Sequence, residues 1–304
     1  MTIQTPVLLI AFNRPEITKR SFSSISMVKP SKLYIAIDGP REGFPSDVDL
    51  CNEVLEIVKQ VSWKCEVQYL VRDQNIGCKN AVYDAISWVF RSETSVIIIE
   101  DDIVAPPSFF NFMELLLCKY QFDNRIAMIS GNQYTPTLTD VDYFFTRYGH
   151  IWGWATWKRV WDKFNIEVPY LDNMLQNKLS DFSFITKRER KYHLRTLRNV
   201  YSLISQGTIN TWDHQFAIFR LANGLLSIAP RCNLASNIGF ESSRNNYNKN
   251  PELFYFRSDT SFVCLRHPKQ VIRDESYDMF HFDNFIFKKR WLLKKIFDKI
   301  MNLF

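Results

Sequence analysis

Four short apolar runs divide the first hundred residues: VLLIAF (7–12), LYIAID (33–38), CEVQYLV (65–71) and SVIIIE (95–100). Between them apolar residues recur at helical spacing. Pro15 opens a helix through Met27, Asp49 to Val61 forms a second, and Asn80 to Phe90 a third. Strands that lack strict polar alternation and are separated by helices predict a parallel sheet covered on both faces. Such strands connect through right-handed βαβ units, and ligands bind at their carboxyl ends. Every run here ends in polar residues: Asn13-Arg14, Asp38-Gly39, Arg72-Asp73-Gln74-Asn75 and Glu100-Asp101-Asp102. In a parallel sheet all four clusters fall on one edge and assemble a site.

The second half continues differently. RIAMISG (125–131) predicts another strand, and YGHIWGWATWKRVW (148–161) gathers four of the eight tryptophans. Helical spacing returns over Lys187–Gln206 and over 211–224, where Gly224 follows the last turn. LLSIAP (225–230) reads as a strand, and residues 236–252 as a polar loop rich in Asn and Ser. With 304 residues, 46% of them hydrophobic, there is enough apolar surface for one large core. The expected division is a domain over 1–284, with halves 1–131 and 132–284, followed by a tail at 285–304.

Charge and cysteines narrow the classes. The six cysteines form no C-x-x-C pair, so a disulfide framework or zinc ribbon is not expected, and reduced thiols in the cytoplasm fit better. The opening MTIQTPVLLIAFNRPE lacks a basic n-region and a cleavage site, which makes it a first strand and not a signal peptide. No stretch approaches the roughly 20 apolar residues of a membrane span. The net charge is +6, yet residues 285–304 alone hold six basic residues and one acid. That distribution argues against a nucleic-acid protein, in which a basic stripe would cross the folded domain. The tail places Leu292, Leu293, Ile296, Phe297, Ile300, Met301 and Phe304 on one helical face, with lysines opposite. A basic amphipathic helix lying in an anionic membrane interface is expected, with docking on the protein's own core as the alternative.

The acid triplet carries the chemistry. Two ionised carboxylates about 5 Å apart repel by roughly 3 kcal/mol at an effective dielectric near 20. A divalent cation is the most direct remedy, since Mg²⁺ and Mn²⁺ favour carboxylate oxygens and Mg²⁺ usually completes its shell with phosphates. Adjacent acids at a parallel strand end therefore point to a metal-bridged diphosphate. Alternatively, Asp102 caps the helix beginning near Pro106 while its neighbours are solvated.

Strand, Glu-Asp-Asp, a hydrophobic–Pro stretch and Phe-Phe resemble the metal-binding D-x-D region of nucleotide-sugar glycosyltransferases with the GT-A fold. The acidic triplet is similar to that of the N-acetylglucosaminyltransferase I type, and the chain also resembles bacterial family 2-like sugar transferases over most of residues 5–245. The resemblance implies a Rossmann-like, mostly parallel sheet flanked by helices. It implies Asp102 as the metal ligand with Asp101 assisting, and Glu100 and Asp101 as sugar or ribose contacts. Asn13, Arg14, Asp38, Arg72, Asn75 and Asn80 would line the nucleotide. WDHQF resembles the helix start that supplies a catalytic acid, so Asp213 is the candidate base for an inverting single displacement; an ordinary first-turn helix acid is the alternative. Trp154, in the aromatic stretch, is the candidate sugar contact, although tryptophans there equally suit a core. Relatives often carry a metal-binding histidine after the SNIGF-like segment. Here ESSRNNYN follows, so Glu241 or Asn246 would complete the shell, or Arg244 would hold the diphosphate.

The implied activity is transfer from a nucleotide diphosphate sugar, a UDP-sugar in the leading reading, to a glycan or lipid-linked glycan during bacterial surface polysaccharide synthesis, on the inner face of the cell membrane. Two other readings stay open. A sugar-phosphate nucleotidyltransferase would need a Gly-rich loop after the first strand, and AFNRPEITKR has none. A glycan- or nucleotide-binding protein without catalysis would need only the pocket.

Overall fold

The computed structural model describes residues 2–133, 139–169, 171–176, 184–239 and 258–287. Strands and helices alternate first: β1 (Val7–Ala11), α1 (Pro15–Val28), β2 (Lys32–Ile37), α2 (Ser46–Val58), β3 (Glu66–Val71), α3 (Gly77–Val89) and β4 (Ser95–Glu100). A two-residue strand β5 (Ile103–Val104) and helix α4 (Pro107–Lys119) lead to β6 (Ile126–Ser130). Then come β7 (Tyr143–Thr146), β8 (Trp154–Trp157), α5 (Lys158–Trp161), α6 (Leu171–Gln176), α7 (Lys187–Ser205) and α8 (Asp213–Ala222). β9 (Leu226–Pro230), β10 (Ser236–Asn237) and α9 (Glu275–His281) follow, and a π-helical turn closes the described chain at Phe282–Phe287.

Eight strands form one sheet in the order β3-β2-β1-β4-β8-β6-β9-β7. β1 pairs in parallel with β2 and β4, β2 with β3, and β6 with β9. β8 and β7 run antiparallel to their neighbours. The fold class is thus the expected one, a mostly parallel central sheet flanked by helices. The burial explains the apolar runs: β1 and β6 are buried at every position, and β4 at Val96 to Ile99. The edge strand β3 is largely exposed, which accounts for its polar Glu66 and Gln68.

Helix α1 packs against α2 and α4 on one face. The chain passes from β3 over β2 and β1 to reach β4, so α3 covers the other face. There an aromatic cluster, with Tyr83 against Trp161 and Phe164 and the latter two against Phe216, joins α3 to α8. Sequence periodicity misses β7 and β8 because both are four residues long and fully buried. The expected second helix, Asp49–Val61, begins earlier, at Ser46, just after Pro45, whose restricted φ suits a helix start. The tail helix expected at 285–304 lies outside the described residues beyond Phe287. Among the described residues all six cysteines are free, and no helix is long and apolar enough to cross a membrane.

Candidate functional site

Because β1 to β4 are mutually parallel, the segments after them meet on one edge, and the side chains there interlock. Arg14 follows β1 and reaches across to the end of the adjacent β4. Its Nε donates to Asp101 Oδ2 at 3.2 Å, and its Nη2 donates to Asp101 Oδ1 and to Asp102 Oδ2, the latter at 3.2 Å. Removal from water works against the guanidinium charge, but Asp101 and then Asp102 outweigh it, so its pKa is raised. The charge compensating the acids here is therefore an arginine. With β1 and β4 hydrogen-bonded neighbours, the acids lie within reach of Arg14. The cap alternative for Asp102 is corrected, since α4 begins after Pro106 with no side-chain cap.

Asp101 is buried, and its backbone carbonyl accepts from Ser21 Oγ at 2.6 Å. Asp102 keeps 18% of its side chain exposed. Its carbonyl accepts from Ile238 N at 2.8 Å, and a Cβ on Gly239 would lie 2.6 Å from Asp102 Oδ2. Residues 236–239 thus lie against Asp102, and a side chain at 239 would displace its carboxylate. Glu100 forms no ion pair or side-chain hydrogen bond among the described residues. Removal from water, then repulsion from Asp102 and Asp101, pushes its pKa up to about 8 against the opposing pull of Arg14.

Asp213 opens α8, 113 residues beyond Glu100, yet its charge contributes to the raised pKa of Glu100. It also adds, after burial and Glu100, to the rise of the Cys78 thiol to about 11. Asp213 is half-buried, His214 is exposed, and Trp212 turns into the core, stacked on Trp154 with centroids 5.4 Å apart. Asp213 thus lies near enough to Glu100 for their charges to interact.

The nucleotide-side candidates divide. Asp38 accepts from Gly39 N at 3.0 Å, Asn75 Nδ2 at 2.8 Å and Ile76 N at 3.2 Å, which ties the ends of β2 and β3. Burial nevertheless leaves its pKa raised. Asn13 donates to Asp47 Oδ1 at 2.7 Å, and Arg41 Nε pairs with the same carboxylate at 2.6 Å. Beside them a groove of about 550 Å³ is lined by Arg41, Phe44, Val48, Gln74 and Asn75, among others. Arg72 turns away to Asp84 Oδ2 on α3 at 2.6 Å, and Asn80 Nδ2 bonds back to Ile76 O at 3.2 Å. Neither points to the acids through any hydrogen bond. Arg244, Glu241 and Asn246 lie outside the described residues.

Trp154 is the second correction. It is fully buried among Trp161, Trp212 and Phe216, so no ring face remains for a sugar. β8 alternates its side chains, and the fully buried sheet consumes both sets. Trp152 is the tryptophan at the edge. It precedes β8 and is half-buried, and its backbone N–H donates to Asn132 Oδ1 at 3.2 Å. Asn132 and Asp47 escaped sequence reasoning, since nothing in GNQ or SDVDL marks either as buried next to a site. Gly239 carried a signal, its place in SNIGF.

The donor chemistry suits a divalent ion in one respect. Two carboxylates completed by substrate phosphates suffice for Mg²⁺, and Asp102 retains room beside Asp101. Among the described residues no group of three or more His, Cys, Asp or Glu side chains gathers to hold an ion by itself.

No protein-family model matches the chain, and no curated protein matches it. Solved structures do. HddC from Yersinia pseudotuberculosis shares 11% identity at TM-score 0.35, over 56% of this chain and 86% of that one. UDP-glucose pyrophosphorylase complexed with UDP-glucose shares 10% at 0.33, over 53% and 79%. An apo UDP-glucose pyrophosphorylase shares 11% at 0.42, over 78% and 93%. These TM-scores are low, and the reading of the site rests on its own geometry.

Proposed function

We propose that the protein is an inverting, metal-assisted glycosyltransferase that moves a sugar from a nucleotide diphosphate sugar to a glycan or lipid-linked glycan in bacterial surface polysaccharide synthesis. The single observation that carries this reading is the gathering of Glu100, Asp101 and Asp102 at the carboxyl edge of a parallel sheet, with Arg14 against them and the charge of Asp213 reaching Glu100. In this reading the nucleoside lies near Asp38 and Asn75, in or beside the groove edged by Arg41 and Phe44. Asp102, backed by Asp101, would hold Mn²⁺ or Mg²⁺ on the diphosphate, where the ion supplies Lewis-acid neutralisation of the leaving group. Asp101 also orients Arg14, a second cation for the diphosphate. Asp213 takes the acceptor hydroxyl proton, and Trp152 offers its ring to the sugar. Residues 1–131 would bind the donor and 132–284 the acceptor. The basic segment 285–304 would hold the protein on the inner membrane face.

The test is release of nucleoside diphosphate from a panel of nucleotide sugars with Mn²⁺. Asp213→Asn keeps size but removes basicity, and should lower turnover by about 10²–10⁴-fold with donor affinity retained. Asp102→Asn should abolish metal-dependent donor binding. If pyrophosphate instead drives formation of a nucleoside triphosphate from the donor, the protein is a nucleotidyltransferase and the proposal fails.

A further inference from the structure

Helix α7 concentrates charge on its outer face. It holds Lys187, Arg188, Arg190, Lys191, Arg195 and Arg198 against a single acid, Glu189, which is buried. Its net +5 compares with +6 for the whole chain. Lys187, Arg190, Lys191, Arg195 and Arg198 are exposed and, with Leu194 and Asn199, border a shallow groove of about 480 Å³. From Lys187 to Arg198 the stripe runs about 16 Å along the helix. Lys187, Lys191, Arg195 and Arg198 form no ion pair or side-chain hydrogen bond among the described residues. The inner face is already used: Leu197 and Val200 pack with Val168, Leu171, Met174 and Ile218.

Among the described residues no acid pairs with these four cations. Outside the described residues the chain's acids are Asp181, Glu241, Glu252 and Asp298, against ten Lys and Arg. The described chain also ends against this helix. Arg188 pairs with Asp283, and its guanidinium lies 5.1 Å from the centroid of the Phe287 ring. The residues after Phe287 add a net +5, interleaved with Leu292, Leu293, Ile296, Phe297 and Ile300.

We propose that the outer face of α7 is the part of the folded domain that lies on an anionic phospholipid surface. Cations on a single convex helix suit a flat array of phosphates. Leu194, partly exposed within the stripe, and the apolar residues that the sequence interleaves with the lysines after Phe287 favour lipid over nucleic acid, which offers no acyl phase. This extends the membrane reading from the tail to the folded domain and does not depend on the donor chemistry.

Full-length protein is sedimented with vesicles of mixed phosphatidylglycerol and phosphatidylcholine, with pure phosphatidylcholine vesicles, and is titrated with single-stranded RNA, at low and high salt. It should bind the anionic vesicles only, and lose them at high salt. The full-length variant combining Lys187→Gln, Lys191→Gln, Arg195→Gln and Arg198→Gln should bind them on the order of a thousandfold more weakly, with an unchanged melting temperature. Lys187→Arg with Lys191→Arg should keep wild-type binding. Undiminished vesicle affinity in the fourfold variant overturns the role of α7 while leaving the tail as the anchor. Wild-type protein that ignores anionic vesicles, or prefers RNA to them, overturns the proposal outright.

Discussion

Glu100→Gln should stabilise the metal-free protein, and only at high pH. The folded value of Glu100 is about 8, raised by removal from water and by Asp102 and Asp101. The unfolded value is near 4.3. A carboxyl whose folded pKa is raised makes no difference below the unfolded value, where it is protonated in both states. Its penalty grows as pH rises and is complete above the folded value. At about 1.36 kcal/mol per pH unit the full shift corresponds to roughly 5 kcal/mol. The neighbouring acids share the proton and Arg14 relaxes toward whichever is charged, so about 2–3 kcal/mol is the expected gain. Gln keeps the shape and removes the charge. The assay is urea denaturation in EDTA at about pH 4, 6 and 8.5. The variant should match wild type at the lowest pH and exceed it increasingly above. A gain of equal size at every pH, or none at the highest, would refute the electrostatic account. Donor turnover should fall in the same variant, because the destabilising charge sits where the donor is proposed to bind.

Two further outcomes test the corrected geometry. Trp154→Ala should cost about 3–5 kcal/mol, because it empties a fully buried site, whereas Trp152→Ala should cost about 1 kcal/mol and weaken sugar binding; thermal melts and donor or acceptor KM separate the two, and the reverse pattern would return the sugar contact to Trp154. Gly39→Ala would drive a Cβ into the backbone of Gln74, so it should part the ends of β2 and β3, cost about 1–3 kcal/mol and weaken nucleotide binding measured by titration calorimetry.

The sequence by itself determined the left half of the sheet. Runs such as VLLIA and SVIII are too apolar to lie anywhere but inside, and the helices between them make the strands parallel, so their polar ends had to share an edge. That is why Asp38, Asn75 and the acid triplet are legible as a site from the strand ends alone. Tertiary structure decided what those residues touch. Arg14 and Asp101 are 87 positions apart, and only the hydrogen-bonded adjacency of β1 and β4 sets one against the other. The insertion of antiparallel β8 between β4 and β6 decided that Trp154 is core, because it lies inside that strand, while Trp152 stands before it, beyond Gly153 with its positive φ; local composition is the same for both. The approach of Asp213 to Glu100 depends on how α8 packs across the sheet through Trp212 and Phe216. Spacing along a chain encodes local periodicity, while contacts between distant segments are selected by the packing of whole elements.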